Sequence, residues 1–258
     1  MANIREHCSW VHTREKQRAT QKAKDIIRMA VARANGLRPL EEIELPVIKK
    51  GLVLGGQLGG MTSALNLAGQ GFEVYLVEKE KKLGGMARRI HTTLEGMDVQ
   101  KYLNDLIREV YQNPLIHVRT DSLIEETSGF VGNFVSKVMT GGKVSEISHG
   151  VTIIATGAEE YKPSEYLYGQ DDRVLTLLEL EEQIATGDER VMNASSMVLI
   201  LCVGSREEGR PHCSRVCCAQ AIKCALNLKA INPSMDISIL YRDMRTYGFK
   251  AVSYTHLR

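Results

Sequence analysis

Leu52-Val53-Leu54-Gly55-Gly56-Gln57-Leu58-Gly59-Gly60-Met61 decides the fold. Three consecutive apolar residues read as a short buried strand, and the glycines that follow read as a tight turn. From Met61 to Gln70 the apolar spacing is helical, and Gly71 ends it. Phe72 to Val77 is a second apolar strand, closed by Glu78. Strand, glycine turn, helix and strand make the βαβ unit of a doubly wound α/β domain. A turn of this kind can bring backbone N–H groups at a helix N-terminus up to a pyrophosphate. Its first glycine permits the turn, its third allows close approach of the phosphate, and its sixth lets helix and strand pack. Those positions are Gly55, Gln57 and Gly60, with Gly56 and Gly59 adding backbone freedom. Gln57 breaks the pattern at the phosphate-approach position, and a glycine-rich turn alone is compatible with no ligand at all. Glu78 adds weight. It ends the second strand 23 residues after Gly55, where a carboxylate can hold the hydroxyls of an adenosine ribose. Solvent exposure at a strand end is the plainer alternative.

Upstream, the first twelve residues read as irregular. A helix is predicted over Arg14 to Asn35, with Thr13 as N-cap, Gly36 as stop and one buried face made by Ala23, Ile26, Ile27, Ala30, Val31 and Ala34. Pro39 and Pro46 punctuate a connector. Downstream, Val99 to Tyr111 reads as a helix. Ile116 to Arg119, Ser122 to Thr127 and Phe134 to Met139 read as strands, with Gly141-Gly142 as a turn. Gly150 to Gly157 is a buried strand ending in a glycine turn. A polar linker from Glu159 to Ser195 carries a helix near Leu177 to Ile184. Val198 to Val203, a cysteine-rich turn running into a helix over Cys213 to Ala230, and Ile237 to Tyr241 form a second β–loop–helix–β unit. The expected division is 1–49 as an N-terminal remnant and connecting helix, and 50–160 as a Rossmann-like domain. A linker over 161–195, the second Rossmann-like unit over 196–250 and a separate tail over 251–258 complete it.

The chain has 258 residues, 43% hydrophobic and 25% charged, the balance of a globular protein with room for a substantial core. A formal net charge of +2 gives no case for nucleic acid or an anionic membrane. No run approaches the roughly 18–20 apolar residues of a membrane-spanning helix, and the first residues lack the apolar stretch of a secretory signal. The expected compartment is the cytoplasm. Of six cysteines, Cys202, Cys213, Cys217, Cys218 and Cys224 fall within 23 residues. In a reducing compartment such a cluster points to metal binding or redox chemistry before disulfides.

Cys202, Cys213, Cys217 and Cys218 have the spacing C-x10-C-x3-C-C. It is neither the paired C-x2-C of a zinc ribbon nor the common ferredoxin run. Arg206, Arg210 and Arg215 can offset thiolate charge, and a helix N-terminus near Cys213 can lower a thiol pKa. Neighbouring Cys217 and Cys218 point about 100° apart on a regular helix, so sharing one centre requires irregular backbone there. Free buried thiols, a Cys213–Cys217 redox pair, and a zinc site using His212 are the alternatives. Cys224, inside a helical pattern, reads as a packed small residue.

Several strings together resemble one family. They are Cys202-Val203-Gly204-Ser205-Arg206, Cys213-Ser214-Arg215-Val216-Cys217-Cys218, Ile239 through Lys250, Asn3 through His12, and Ser128 through Phe134. Over about residues 2–250 the chain is similar to the A-type subunit of heterodisulfide reductase and its bacterial relatives. Val77-Glu78-Lys79 with Leu83-Gly84-Gly85, and the run Thr152 to Gly157, likewise resemble the two fingerprints of two-dinucleotide-binding flavoproteins.

The resemblance implies a thioredoxin-reductase-like α/β fold, incomplete at both ends, with FAD at Gly55, Gly56, Gln57, Gly60, Glu78, Lys79, Gly85, Thr156 and Gly157. It implies a [4Fe–4S] cluster on Cys202, Cys213, Cys217 and Cys218. It also implies flavin-based electron bifurcation in a complex with further subunits and an electron donor such as a hydrogenase or dehydrogenase component. No catalytic residue is assigned.

Departures from the family are Gln57 and the absence of cysteines between Phe134 and Thr152, which marks a form without the ferredoxin insertion of some members. Family members are also longer at both ends. Cys8 reads as a remnant of a shortened N-terminal domain or as a free thiol. Ala251 to Arg258 resembles translated adapter sequence, a divergent natural terminus being the alternative. Two other functions remain open. One is an NAD(P)H-dependent disulfide reductase using Cys213 and Cys217, although Cys202-Val203-Gly204-Ser205-Arg206 stands where a nicotinamide site wants a glycine fingerprint. The other is a non-catalytic zinc-bound interaction module.

Overall fold

A computed structural model describes residues 1–42 and 44–247, in two units, Met1–Leu45 and Pro46–Arg258. The proposed tail at 251–258 lies outside the described residues. In the first unit a π-turn over Arg5–Ser9 leads to helix α1 (Lys16–Asn35), which ends at Gly36. The helix starts at Lys16 with Glu15 as its N-cap, beyond the Thr13 start expected from sequence. Its apolar stripe exists but is not covered: no α1 residue is buried, and Ile27, Met29 and Val31 are exposed. Among the described residues of this unit the buried side chain is Cys8, whose thiol donates to the carbonyl of Ala19 at 2.7 Å.

In the second unit the pleat assigns side chains to layers. Strand β1 (Lys50–Leu54), helix α2 (Leu58–Gly69), strand β2 (Glu73–Val77), helix α3 (Val99–Gln112) and strand β3 (Ile116–Arg119) follow in order. Then come β4 (Ser122–Phe130), β5 (Asn133–Thr140), β6 (Lys143–His149) and β7 (Val151–Ile154). A parallel sheet runs β3-β2-β1-β7, and β7, expected from sequence to be buried, is its edge strand with Val151 and Ile154 exposed. Val53, Val74 and Leu76 point to one face and bury against Met61, Ala64 and Ala68 of α2 and Leu103, Leu106 and Val110 of α3. Leu52 and Val77 point to the other and meet Val138 and Ile147 of the antiparallel meander β4-β5-β6. Alternation with period 2 therefore builds three layers: helices, parallel sheet and meander. Strand β6 is not foreseen from sequence. Only Ile147 and His149 turn inward along it, so its polar residues mask the pattern. The fully buried His149 sits 2.9 Å from the Ser136 hydroxyl, and burial holds its imidazole below the ordinary pKa.

Helices α4 (Leu177–Thr186) and α5 (Glu189–Met192) lead into β8 (Ser196–Ile200), α6 (Cys217–Ile231) and β9 (Asp236–Leu240). A capping box between Thr176 and Glu179 starts α4, and left-handed Gly187 stops it. Strands β8 and β9 pair in parallel. Leu180 and Val191, from the stretch read as a polar linker, are buried with Leu199, Ala221, Leu228 and Met235 in the core beside them. The strand predicted to reach Val203 ends at Ile200. The helix predicted to start in the cysteine-rich turn starts at Cys217.

Candidate functional site

Two sites lie at the carboxyl ends of parallel strands, where open α/β sheets place their ligands. The first begins at the turn between β1 and α2. Gly55 is left-handed, with φ of +102°, and a Cβ there would overlap the Ala155 carbonyl. A Cβ on Gly60 would overlap the carbonyl oxygen of Gly55. Glycine is required at both positions by backbone packed on backbone. Gln57 caps α2 with extended backbone, and its side chain makes no capping bond. Its Nε2 donates instead to the Thr156 carbonyl at 3.3 Å. Glu78, at the end of β2, is buried. One carboxylate oxygen accepts from the Gly56 N–H at 2.5 Å and the other from the Glu80 N–H at 2.9 Å.

These residues surround a cleft of about 1030 Å³, lined by Gly55, Gln57, Glu78, Lys79, Gly85 and Thr156 among others. Gly56 packs on Leu83 and Glu78, Gly60 on the Gly55 carbonyl, and Gly157 on the Gln57 side chain. The size and the position of Glu78 suit a dinucleotide, whose phosphates would face the N-terminus of α2. Gln57 stands where such phosphates would approach. The rim mixes both charges, with Glu80, Asp121, Glu159 and Glu160 beside basic residues that the sequence does not single out: Lys81, Lys82, Arg88 and Arg89. Lys79 is paired with Glu159 at 2.5 Å. Arg89 pairs with Glu160 at 2.7 Å and with Glu182 at 2.6 Å, which raises its pKa. The stretch around Arg88 and Arg89 has no strong periodicity, so nothing local in the sequence marks it.

The second site is the loop between β8 and α6. Cys202 and Cys218 are buried, while Cys213 and Cys217 are half-buried, and all are free thiols. Three non-glycine residues here, Cys202, Arg206 and Arg215, hold left-handed backbone, a costly conformation that collects at functional loops. Donors point at the sulfurs: Arg215 N–H to Cys213 at 3.3 Å, Ser214 Oγ to Cys217 at 3.5 Å and Arg245 N–H to Cys218 at 3.4 Å. Arg206, ion-paired with Asp243, has a guanidinium nitrogen 4.0 Å from the Cys202 sulfur. Cys217 and Cys218 lie in the first turn of α6 with thiols within reach of each other. Burial pushes the Cys218 thiol up, and the Arg245 N–H acts against it. Cys224 is 1% exposed and its thiol is pushed up to about 12 by burial, as befits a packed residue. Four thiols with N–H and guanidinium donors around them are the donor chemistry of a thiolate-bound centre. Among the described residues no three Cys, His, Asp or Glu side chains converge as ligands to a single ion.

A buried ion pair lies between the two sites. Lys223 of α6 meets Glu181 of α4 at 2.6 Å, with both side chains almost fully buried. Glu181 also accepts from the His91 N–H at 2.8 Å and from Gln220, and Lys223 donates to the Thr92 carbonyl at 2.8 Å. The cysteine-bearing helix is thereby tied to the segment that follows Arg89.

A family model described as an NAD(P)-binding Rossmann-like domain matches residues 53–113. The A-type subunit of the H(2):CoB-CoM heterodisulfide,ferredoxin reductase of Methanothermobacter marburgensis is 32% identical over 96% of this chain and 51% of its own length. The second iron-sulfur A-type subunit of the CoB--CoM heterodisulfide reductase of Methanopyrus kandleri is 33% identical over 96% of this chain and 52% of its own. Among solved structures, L-proline dehydrogenase from P. horikoshii is 18% identical with a TM-score of 0.45, over 81% of this chain and 39% of its own. The chain spans about half the length of the curated relatives it matches. The first alignment covers 338 residues, more than this chain contains, so that relative holds residues inside the matched span that are absent here. No described helix is long and apolar enough to cross a membrane. Over the half of those proteins that it spans, the chain is similar to the A-type subunits of heterodisulfide reductases.

Proposed function

We propose that this chain is the flavin- and iron–sulfur-binding part of a heterodisulfide-reductase-like electron-transfer oxidoreductase. The observation that carries the reading is the presence of a dinucleotide-sized cleft and a four-cysteine loop in the same unit, each at the carboxyl end of a parallel strand pair. FAD is the proposed occupant of the cleft, held at Gly55, Gly56, Gly60, Glu78, Lys79, Gly85, Thr156 and Gly157. A [4Fe–4S] cluster is the proposed occupant of Cys202, Cys213, Cys217 and Cys218. Flavin would supply paired or single electrons and the cluster single ones. The chain's own part is to bind both, and to offset thiolate charge through the Arg215 and Arg245 N–H groups and Arg206. Two relatives bear names with iron-sulfur or ferredoxin reductase in them, each as one component of a larger reductase. The proposed partners are therefore the other components of such a complex and an electron donor such as a hydrogenase or dehydrogenase, with bifurcation as the flavin's role and the cytoplasm as its place.

The test is the optical spectrum and metal content of anaerobically purified protein. Flavin bands with a broad iron–sulfur shoulder support the proposal. Flavin alone favours a disulfide reductase acting through Cys213 and Cys217, and zinc without flavin favours an interaction module.

Two substitutions sharpen the assignment. Serine at any one of Cys202, Cys213, Cys217 or Cys218 is expected to lower iron content and alter the electron paramagnetic resonance of the reduced protein, whereas Cys224→Ser leaves both unchanged. Equal iron in all five variants removes the cluster from this loop. Glu78→Ala is expected to weaken FAD binding by about 1–3 kcal/mol, because the Gly56 and Glu80 N–H groups and the ribose lose their acceptor together. Titration of flavin fluorescence reads this, and unchanged affinity takes Glu78 out of the site.

A further inference from the structure

Position 57 is where a phosphate-binding turn uses glycine so that backbone and diphosphate can touch. Here the half-buried Gln57 side chain enters the cleft and packs on Gly85 and Gly157. A Cβ built on Gly85 would overlap Cγ and Cδ of Gln57, and one built on Gly157 would overlap its carboxamide. Both glycines are left-handed, with φ of +48° and +70°. They come from different parts of the chain, the turn after β2 and the turn after β7. The Gln57 carboxamide therefore lies between two bare backbone surfaces and is anchored by its bond to the Thr156 carbonyl. It leaves the Gly55 and Gly60 requirements untouched, so the turn keeps its shape while its phosphate position is taken.

We propose that Gln57 sets the affinity of this cleft by plugging its diphosphate position, so that a dinucleotide enters only when the side chain swings out. The inference rests on the dinucleotide reading of the cleft, and it applies to any ligand that brings a diphosphate to the N-terminus of α2. Swinging out breaks the bond to Thr156 and the packing on Gly85 and Gly157, a loss each binding event must offset. The rest of the cleft keeps its lining, including Glu78 and the charged rim. Glycine at this position removes the plug, and alanine removes it with less backbone freedom. Glutamate keeps the size and sets an anion against the phosphates.

The test is binding of FAD, followed by flavin fluorescence polarisation, to the whole chain and to Gln57→Gly, Gln57→Ala and Gln57→Glu, with thermal melting of each. Gln57→Gly and Gln57→Ala are expected to bind about tenfold more tightly than the parent, the scale of one hydrogen bond with its packing. Gln57→Glu is expected to bind at least about tenfold more weakly, by like-charge repulsion. Equal or weaker binding by a folded Gln57→Gly overturns the plug. If that variant does not fold, Gln57→Ala decides in the same way. Failure of FAD to bind any of the proteins overturns the flavin reading instead. ADP and inorganic pyrophosphate then judge the plug alone: tighter binding to Gln57→Gly than to the parent sustains it, and no difference or no binding overturns it.

Discussion

Lys223→Met is expected to destabilise the chain by about 3–5 kcal/mol, the cost of leaving a buried charge without its partner. Glu181 would stay in place, 3% exposed, with the His91 N–H and Gln220 still donating but its cation gone. Removing both charges, as Glu181→Gln with Lys223→Met, should recover at least half of the loss. The amide can still accept from the His91 N–H, and no uncompensated charge remains. Urea midpoints of the parent, the single variant and the double variant read this directly. A single and a double variant of equal stability would mean that packing, not charge, accounts for the pair. Acid gives a second check. Burial alone would push the Glu181 carboxyl up, but Lys223, the His91 N–H and Gln220 outweigh it and hold the carboxyl below the ordinary carboxylate range. Its contribution is therefore complete above that range and is lost as pH falls through the lowered value. The gap between parent and Lys223→Met should narrow in strong acid.

Gly60→Ala is expected to cost roughly 1–3 kcal/mol or more and to abolish nucleotide binding. Alanine is the better helix former by about 1 kcal/mol, so propensity alone predicts a gain. The clash decides otherwise: the new methyl would occupy the Gly55 carbonyl oxygen, and α2 would have to lift from the turn that aims its N-terminus. Gly59→Ala is the control one residue away. Nothing lies within 4 Å of a Cβ at Gly59, so that change should be neutral or mildly stabilising. Thermal melting and ADP binding of the two variants separate the explanations. Equal behaviour would show that the helix start yields more easily than the geometry indicates.

What the sequence made legible was what repeats. The glycine turn, the apolar runs of β1 and β2, and the α3 stripe from Leu103 to Val110 each carry a local signal, and the elements stand close to where that signal put them. Strand β6 carried almost none, because a strand that packs only Ile147 and His149 inward looks polar. The α1 stripe gave the opposite lesson. Its spacing is amphipathic, yet burial needs a covering surface, and periodicity cannot say whether one is there. At the sites, Glu78 and the cysteines were visible because residue type and spacing announce their chemistry. Arg89 and the Glu181–Lys223 pair were not, because their partners lie about 70 to 90 and 42 positions away and only the fold brings them together. The environment of Gln57 was equally hidden. Its departure from glycine could be read, but not that Gly85 and Gly157 would close on it.

The β4–β5 hairpin turns through Val131 and Gly132 alone, with Phe130 paired to Asn133 and Val131 84% exposed. The two strand ends there sit side by side, so any folded cassette whose own termini are adjacent can be spliced in at Val131 without altering the register below it. The meander packs on the sheet through Val138 and Ile147, away from this turn. Such a cassette would add mass without reaching the β1–α2 turn. The hairpin tip thus offers a point at which a reporter domain can be attached, provided the bonds of Gly132 to Ile48 and Gly150 are kept.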